Sequence, residues 1–82
     1  MRLSDTKLAV LEVFFDSPQE EFYLSQIRKM VKLSLDTVHR SLCFWSGNGV
    51  LRSRKIGRMK LYKLAKSEMT KVMKRLLEVE HG

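Results

Sequence analysis

Residues 33–64 constrain the fold more than any other part of the chain, because three kinds of signal follow one another there. The segment begins with Ser34 at a helix N-cap position, continues with helical spacing of apolar residues, and then meets the run SGNG at 46–49. Gly and Asn tolerate the left-handed conformation that closes a helix. A basic stretch follows, with Gly57-Arg58 at its centre, which fits a two-residue type II′ turn. The sequence therefore predicts a helix over about 35–47 and hairpin strands over about 51–56 and 59–64.

The predicted helix over 35–47 has one apolar face and one polar face. Val38, Leu42 and Trp45 share a side of the helix, since successive residues are about 100° apart. A helix anchored by these three side chains presents polar groups near its N-terminal end, where recognition helices contact DNA bases. The predicted base-reading residues are Ser34, Asp36, Thr37, His39 and Arg40.

The predicted hairpin also has two different faces. A two-residue turn sets Ile56 opposite Met59 and places Leu51, Tyr62 and Leu64 together on the face toward the core. A three-residue turn would shift these pairings. The cationic side chains stay in solvent in either case, and the predicted DNA contacts of the hairpin are Arg52, Arg54, Lys55, Arg58 and Lys60.

A second short helix is predicted over about 26–32, directly before the polar-faced helix. Ser25 is placed to cap it, and Ile27, Met30 and Val31 form its apolar side. Two short helices joined by a tight turn are typical of a helix-turn-helix. Its predicted phosphate contacts are Ser25, Gln26 and Lys32.

Helices are also predicted near both ends, over about 5–15 with Ser4 as cap and over about 67–80 with Ser67 as cap. Residues 22–24 predict a very short third strand. The C-terminal helix repeats apolar residues at intervals of three and four, as a coiled-coil seam does; packing on the first helix of the same chain is the alternative to dimerisation. The predicted dimer seam consists of Met69, Val72, Met73, Leu76 and Val79.

Charge and composition narrow the class of protein. Net charge is +7 over 82 residues, with −3 in residues 1–24, +3 in residues 25–51 and +7 in residues 52–82. This concentration indicates a nucleic-acid partner rather than a merely solvated basic surface. A single domain over 1–82 is expected, and a partner interface would help to stabilise so small a core.

Other functional classes find little support. The single cysteine, Cys43, cannot form an internal disulfide, and the longest apolar stretch is too short to span a bilayer. A cytoplasmic protein without membrane attachment is therefore expected. The chain contains no phosphate-binding glycine loop, paired-cysteine motif or metal-binding histidine motif, so neither an enzyme nor a cofactor or metal site is expected.

Residues 34–64 resemble the winged helix-turn-helix of the ArsR and MarR repressor families. The segments that carry the resemblance are LSLDTVHRSL at 33–42 and GVLRSRKIGRMKLYKL at 49–64. Gly57-Arg58 corresponds to the tip of the wing, and the resemblance implies a DNA-binding transcriptional regulator that is usually a dimer. Metal-sensing relatives carry paired cysteines on the helix before the recognition helix, and SQIRKMV at 25–31 has none. Metal sensing is therefore not expected.

The sequence thus predicts a mostly α winged helix-turn-helix with a small antiparallel hairpin. The expected function is sequence-specific binding of double-stranded DNA by a homodimer, with the recognition helix in the major groove and the wing on the backbone or minor groove. Two alternatives remain. One is a protein-interaction module that uses Phe44, Ile56 and Met59 as an apolar surface, and the other is an RNA-binding protein.

Overall fold

A computed structural model describes residues 5–81 of the chain, with side chains through residue 78. The order of elements is α1 (Asp5–Asp16), β1 (Phe22–Tyr23), α2 (Leu24–Val31), α3 (Leu35–Gly47), β2 (Leu51–Ile56), β3 (Met59–Leu64) and α4 (Glu68–His81). All the predicted helices and hairpin strands are present, with bounds within two residues of those expected. The predicted cap Ser4 and the side chain of Val79 lie outside the described residues.

The three strands form one antiparallel sheet in the order β1-β3-β2. The predicted hairpin register is confirmed, since Ile56 pairs with Met59 and Leu51 with Leu64. Of the two central residues of this turn, Gly57 has a positive φ of 61° and Arg58 does not, as a type II′ turn requires. The predicted third strand is also confirmed, although it is limited to two residues that pair with β3.

The core lies between the three N-terminal helices, the base of the sheet and one side of α4. Trp45 connects these layers, because its indole is 1% exposed and its Nε1–H donates a hydrogen bond to the Lys7 carbonyl oxygen at 2.9 Å. The predicted inner face of α3 is confirmed, as Val38 and Leu42 are fully buried. The buried cluster consists of Val10, Leu11, Phe14, Ile27, Val38, Leu42, Trp45, Val50, Leu51, Tyr62, Met73 and Leu77.

The start of α2 differs from the prediction. The helix begins at Leu24, so Ser25 lies inside its first turn and is not the cap. The side-chain oxygen of Gln26 accepts a hydrogen bond from the Tyr23 backbone N–H at 2.8 Å, which allows the helix to begin directly after β1. Met30, expected on the buried side, is 50% exposed.

A junction of short hydrogen bonds connects the end of α3 to the start of α4. Gly49, with φ 77°, provides the left-handed residue that redirects the chain after α3. The Ser67 hydroxyl donates to the Gly49 carbonyl at 2.7 Å and accepts from the Thr70 N–H at 3.1 Å, which confirms Ser67 as the cap of α4. Thr70 Oγ1 in turn donates to the Val50 carbonyl at 3.2 Å. The orientation of α4 is therefore tied to the end of α3.

Candidate nucleic-acid interface

The outward side of α3 carries polar side chains, because the opposite side of the helix packs in the core. Ser34 caps the helix, since its hydroxyl oxygen accepts the Thr37 N–H at 3.2 Å, and it also donates to Thr37 Oγ1 at 2.8 Å. Thr37 is therefore half-buried and already hydrogen-bonded to the cap. Asp36, His39 and Arg40 are exposed, as the helical spacing predicted. Three polar side chains near the N-terminal end of α3 are thus accessible to a partner.

Arg40 provides the guanidinium of this surface and has an acidic neighbour. Its Nε lies 3.0 Å from Asp36 Oδ2, one helical turn away, and the two side chains are 78% and 71% exposed. An exposed pair of this kind adds little to stability. The contact involves Nε of Arg40, and a guanidinium also has two terminal nitrogens, which can donate together to O6 and N7 of a guanine. Asp36 thus supports Arg40 on the outward side of α3.

His39 has a neighbour on the same surface. Its Nε2 lies 3.6 Å from the Cys43 sulfur, and both residues are exposed. This contact joins consecutive turns of α3 along the outward side, which extends the polar surface toward the middle of the helix.

The three residues of α2 predicted to contact phosphate have different environments. Ser25 and Lys32 are exposed, and Lys32 follows α2 in a left-handed conformation with φ 53°. Gln26 is also exposed, but its side-chain oxygen accepts the Tyr23 N–H, so only its amide NH₂ remains for an anion. The structure thus brings Ser25 and Lys32 to the surface with their polar groups accessible.

The hairpin formed by β2 and β3 carries six cations and no carboxylate. Its cationic side chains are exposed over its whole length. Within residues 5–81, no ion pair involves Arg52, Lys55, Arg58 or Lys60. These four predicted contacts therefore extend into solvent with their charges unneutralised.

Arg54 differs from its neighbours on the hairpin because it has an acidic partner within the chain. Its Nε and Nη2 donate to the two carboxylate oxygens of Glu21 at 2.8 and 2.9 Å. These hydrogen bonds lower the pKa of Glu21 below its ordinary value and raise that of Arg54. Because Glu21 directly precedes β1, the pair joins the two outer strands across β3. Arg54 is therefore paired within the chain, and Glu21, which was not among the predicted contacts, belongs to the same surface.

Two further cations lie near this pair and were not among the predicted DNA contacts. Lys63 and Lys66 are exposed and line a concavity of about 450 Å³ together with Glu21, Arg52 and Arg54. Lys63 pairs with Arg52 across the hairpin. Because every second residue of a strand points to the same face, this pairing could have placed Lys63 beside Arg52 and Arg54 from the sequence. The positive surface thus continues from the wing toward the start of α4.

The C-terminal helix has two apolar sides rather than one. Met73 and Leu77 are 5% and 6% exposed and belong to the core, which removes Met73 from the predicted dimer seam. Met69, Val72 and Leu76 are 43%, 48% and 50% exposed. The sequence pattern merged these sides because intervals of three and four together cover more than one face of a helix.

The fold is similar to that of several solved proteins, although their sequences differ from this one. No protein-family model matches the chain, and no curated protein sequence does. The ferric uptake regulator from Francisella tularensis, solved with iron, superposes with a TM-score of 0.75 at 16% identity, covering 83% of this chain; the chain spans 56% of that protein. A homodimeric winged helix-turn-helix DNA-binding domain from Mycobacterium bovis gives 0.75 at 18% identity, covering 95% of this chain and 69% of that one.

TubR from Bacillus thuringiensis, solved on 24 base pairs of tubC, superposes with a TM-score of 0.70 at 24% identity. It covers 88% of this chain, and the chain covers 82% of TubR. The fold is a winged helix-turn-helix. In the terms of that fold, α2 and α3 form the helix-turn-helix, and the hairpin of β2 and β3 is the wing.

Among the side chains of residues 5–78, no group of three or more histidine, cysteine or acidic residues is arranged to hold a metal ion. No helix in the described part of the chain is long and apolar enough to cross a membrane.

Proposed function

We propose that this protein is a sequence-specific regulator of transcription that binds double-stranded DNA in the cytoplasm. The recognition helix α3 enters the major groove, and the wing holds the backbone or the adjacent minor groove. The observation that carries the proposal is the placement of Asp36, His39 and Arg40 on the exposed side of a helix whose other side is fixed in the core. Phosphates would be held by Ser25, Lys32 and the exposed cations of the wing.

The charge distribution supports this arrangement. Between Asp36 and Glu68 the chain contains no acidic residue, whereas eight lysines and arginines lie in that interval. A surface of this kind attracts a polyanion of any sequence, so in this proposal the distinction between bases in the half-site is assigned to the residues of α3. The structures of TubR on DNA and of the Mycobacterium bovis DNA-binding domain are consistent with the same use of the fold.

The single domain is proposed to act as a symmetric homodimer through α4. Met69, Val72 and Leu76 form an exposed apolar stripe, and a second copy would cover it and add to a small core. A dimer places two recognition helices on one side of the duplex, so the target would be an inverted repeat with half-sites about 34–36 Å apart.

The test is selection of the sequences that the full chain binds, from a random pool of duplex DNA and separately from a random pool of RNA. Enrichment of an inverted repeat is expected from the DNA pool, and Lys74→Ala serves as a control because Lys74 lies on α4 outside the proposed interface. Arg40→Ala should lose one position of the motif, whereas the control should enrich the same motif as the parent. Enrichment only from an RNA pool, or from neither pool, would refute the proposal.

The protein-interaction alternative is weakened by the position of one of its three residues. Phe44 is half-buried and packs edge-to-face on Trp45, with ring centroids 5.0 Å apart. The Lys7 ammonium nitrogen lies over the Phe44 ring, 5.0 Å from its centroid. It therefore serves the packing of α3 on α1. Ile56 and Met59 remain exposed at the wing tip.

A further inference from the structure

The tip of the wing carries two large apolar side chains that the described chain does not cover. Ile56 and Met59 form the last pair of the hairpin, on either side of the turn at Gly57 and Arg58. They are 42% and 50% exposed. The residues that attach the sheet to the core, Leu51 among them, lie at the opposite end of the hairpin. The pair thus projects from the body of the protein.

The surroundings of this pair restrict what can cover it. Lys55, Arg58 and Lys60 are exposed beside it, and no carboxylate occurs anywhere in the hairpin. A partner must therefore supply negative charge around an apolar contact. The minor groove of DNA does so, because phosphates line both sides of the groove and an apolar side chain can reach the base faces by partly opening a step at its floor.

The geometry points to an apolar wedge: we propose that Ile56 and Met59 enter the minor groove and partly unstack one base step, while neighbouring cations bind the flanking phosphates. This rests on the proposed function and adds a second contact to it. Apolar side chains that insert in this way bend the duplex by about 20–90°. The β-branched Ile56 has a restricted first side-chain torsion, and its position opposite Met59 is fixed by the register of the hairpin. The wedge is therefore preformed.

Inserting a wedge favours steps that unstack easily. Pyrimidine–purine steps such as TA and CA are flexible, whereas runs of A·T pairs are stiff. The wedge therefore adds a sequence preference in the flank of each half-site, at bases that α3 does not contact.

The test uses the selected duplex with 2-aminopurine substituted in turn at each flanking step, since this base brightens when it is unstacked. Binding is followed by anisotropy on the same duplexes, and bending by energy transfer between dyes at the ends. The variant is Ile56→Ser combined with Met59→Ser. Met30→Ser is the matched control, because Met30 is also 50% exposed and lies on α2.

With the parent and the control, we expect a rise in fluorescence at one step in each flank and a bent duplex. The double variant should lose both signals and keep the base preference of the half-site. Its urea midpoint should match that of the parent, since neither side chain belongs to the core. The conservative Met59→Leu should retain both signals, because it keeps the apolar volume.

Three results would overturn the proposal. If the parent binds the duplex without brightening or bending it, the wedge is refuted while the proposed function stands. If the parent does not bind DNA, both are refuted together. If the parent instead co-sediments with anionic phospholipid vesicles, through Ile56 and Met59 and without brightening DNA, the tip binds a lipid surface and the wedge is again refuted.

Discussion

Replacement of Trp45 by alanine tests how the recognition helix is held in place. Trp45 is 1% exposed, and its Nε1–H bonds to the Lys7 carbonyl oxygen 38 residues away. Removing a buried Trp side chain costs about 3–5 kcal/mol. A chain of this length is typically stable by about 4–12 kcal/mol, so Trp45→Ala should lose a large fraction of the total. Trp45→Phe keeps most of the apolar volume and should cost less, because a hydrogen bond contributes about 0.5–1.5 kcal/mol.

The assay is urea unfolding followed by far-ultraviolet circular dichroism at one protomer concentration. Fluorescence cannot follow the variants, since Trp45 is the single tryptophan. Leu35→Ala is the control, because Leu35 is an apolar residue of the same helix that is 51% exposed, and its cost should stay within about 0.5 kcal/mol. If Trp45→Ala unfolds at the same urea concentration and with the same slope as the parent, the assignment of the inner face of α3 is wrong.

Three further predictions follow from the caps, the ion pair and the stripe. Ser34→Ala should lower the free energy of unfolding by about 0.5–2 kcal/mol, because the cap of α3 is lost; an unchanged urea midpoint would contradict this. Carbon NMR should show that the Glu21 carboxyl titrates below its ordinary pKa of 4.5, because Arg54 donates hydrogen bonds to it, and that Arg54→Ala raises this pKa. Since the folded-state pKa is lowered, the pair is intact above the ordinary pKa and is lost as the pH falls through the lowered one. Leu76→Glu should give a folded monomer by light scattering and circular dichroism; an unchanged dimer would refute the stripe as interface, and an unfolded chain would place Leu76 in the core.

Local signals account for how well the secondary structure could be predicted. The cap at Ser34 and the two-residue turn at Gly57 involve neighbours in the sequence, and both were predicted correctly. The inner side of α3 followed from the helical spacing of Val38, Leu42 and Trp45, which are all buried. These features depend on spacing alone, so the fold class could be derived without a structure.

The features that were missed depend on contacts between distant residues or on competition between caps. Arg54 forms an ion pair with Glu21, which lies 33 residues earlier in the chain. No local sequence pattern indicates a contact between residues so far apart. Ser25 was predicted as the cap of α2 from its residue type. The Gln26 side chain instead accepts a hydrogen bond from the Tyr23 N–H, and α2 begins at Leu24. The periodicity of α4 could not separate the buried Met73 from the exposed stripe, because the choice depends on what packs beside the helix.

The central claim is that α3 reads bases while the wing holds the backbone, and salt titrations of Arg40→Ala and Arg58→Ala test it most directly. Each variant is measured on the selected duplex and on a scrambled one. Arg40→Ala should lose about 1–3 kcal/mol on the selected duplex and little on the scrambled one. Arg58→Ala should weaken both nearly equally, and its salt slope should fall by about 1. If Arg40→Ala weakens both duplexes equally while Arg58→Ala abolishes the difference between them, the wing reads the sequence and the account is contradicted.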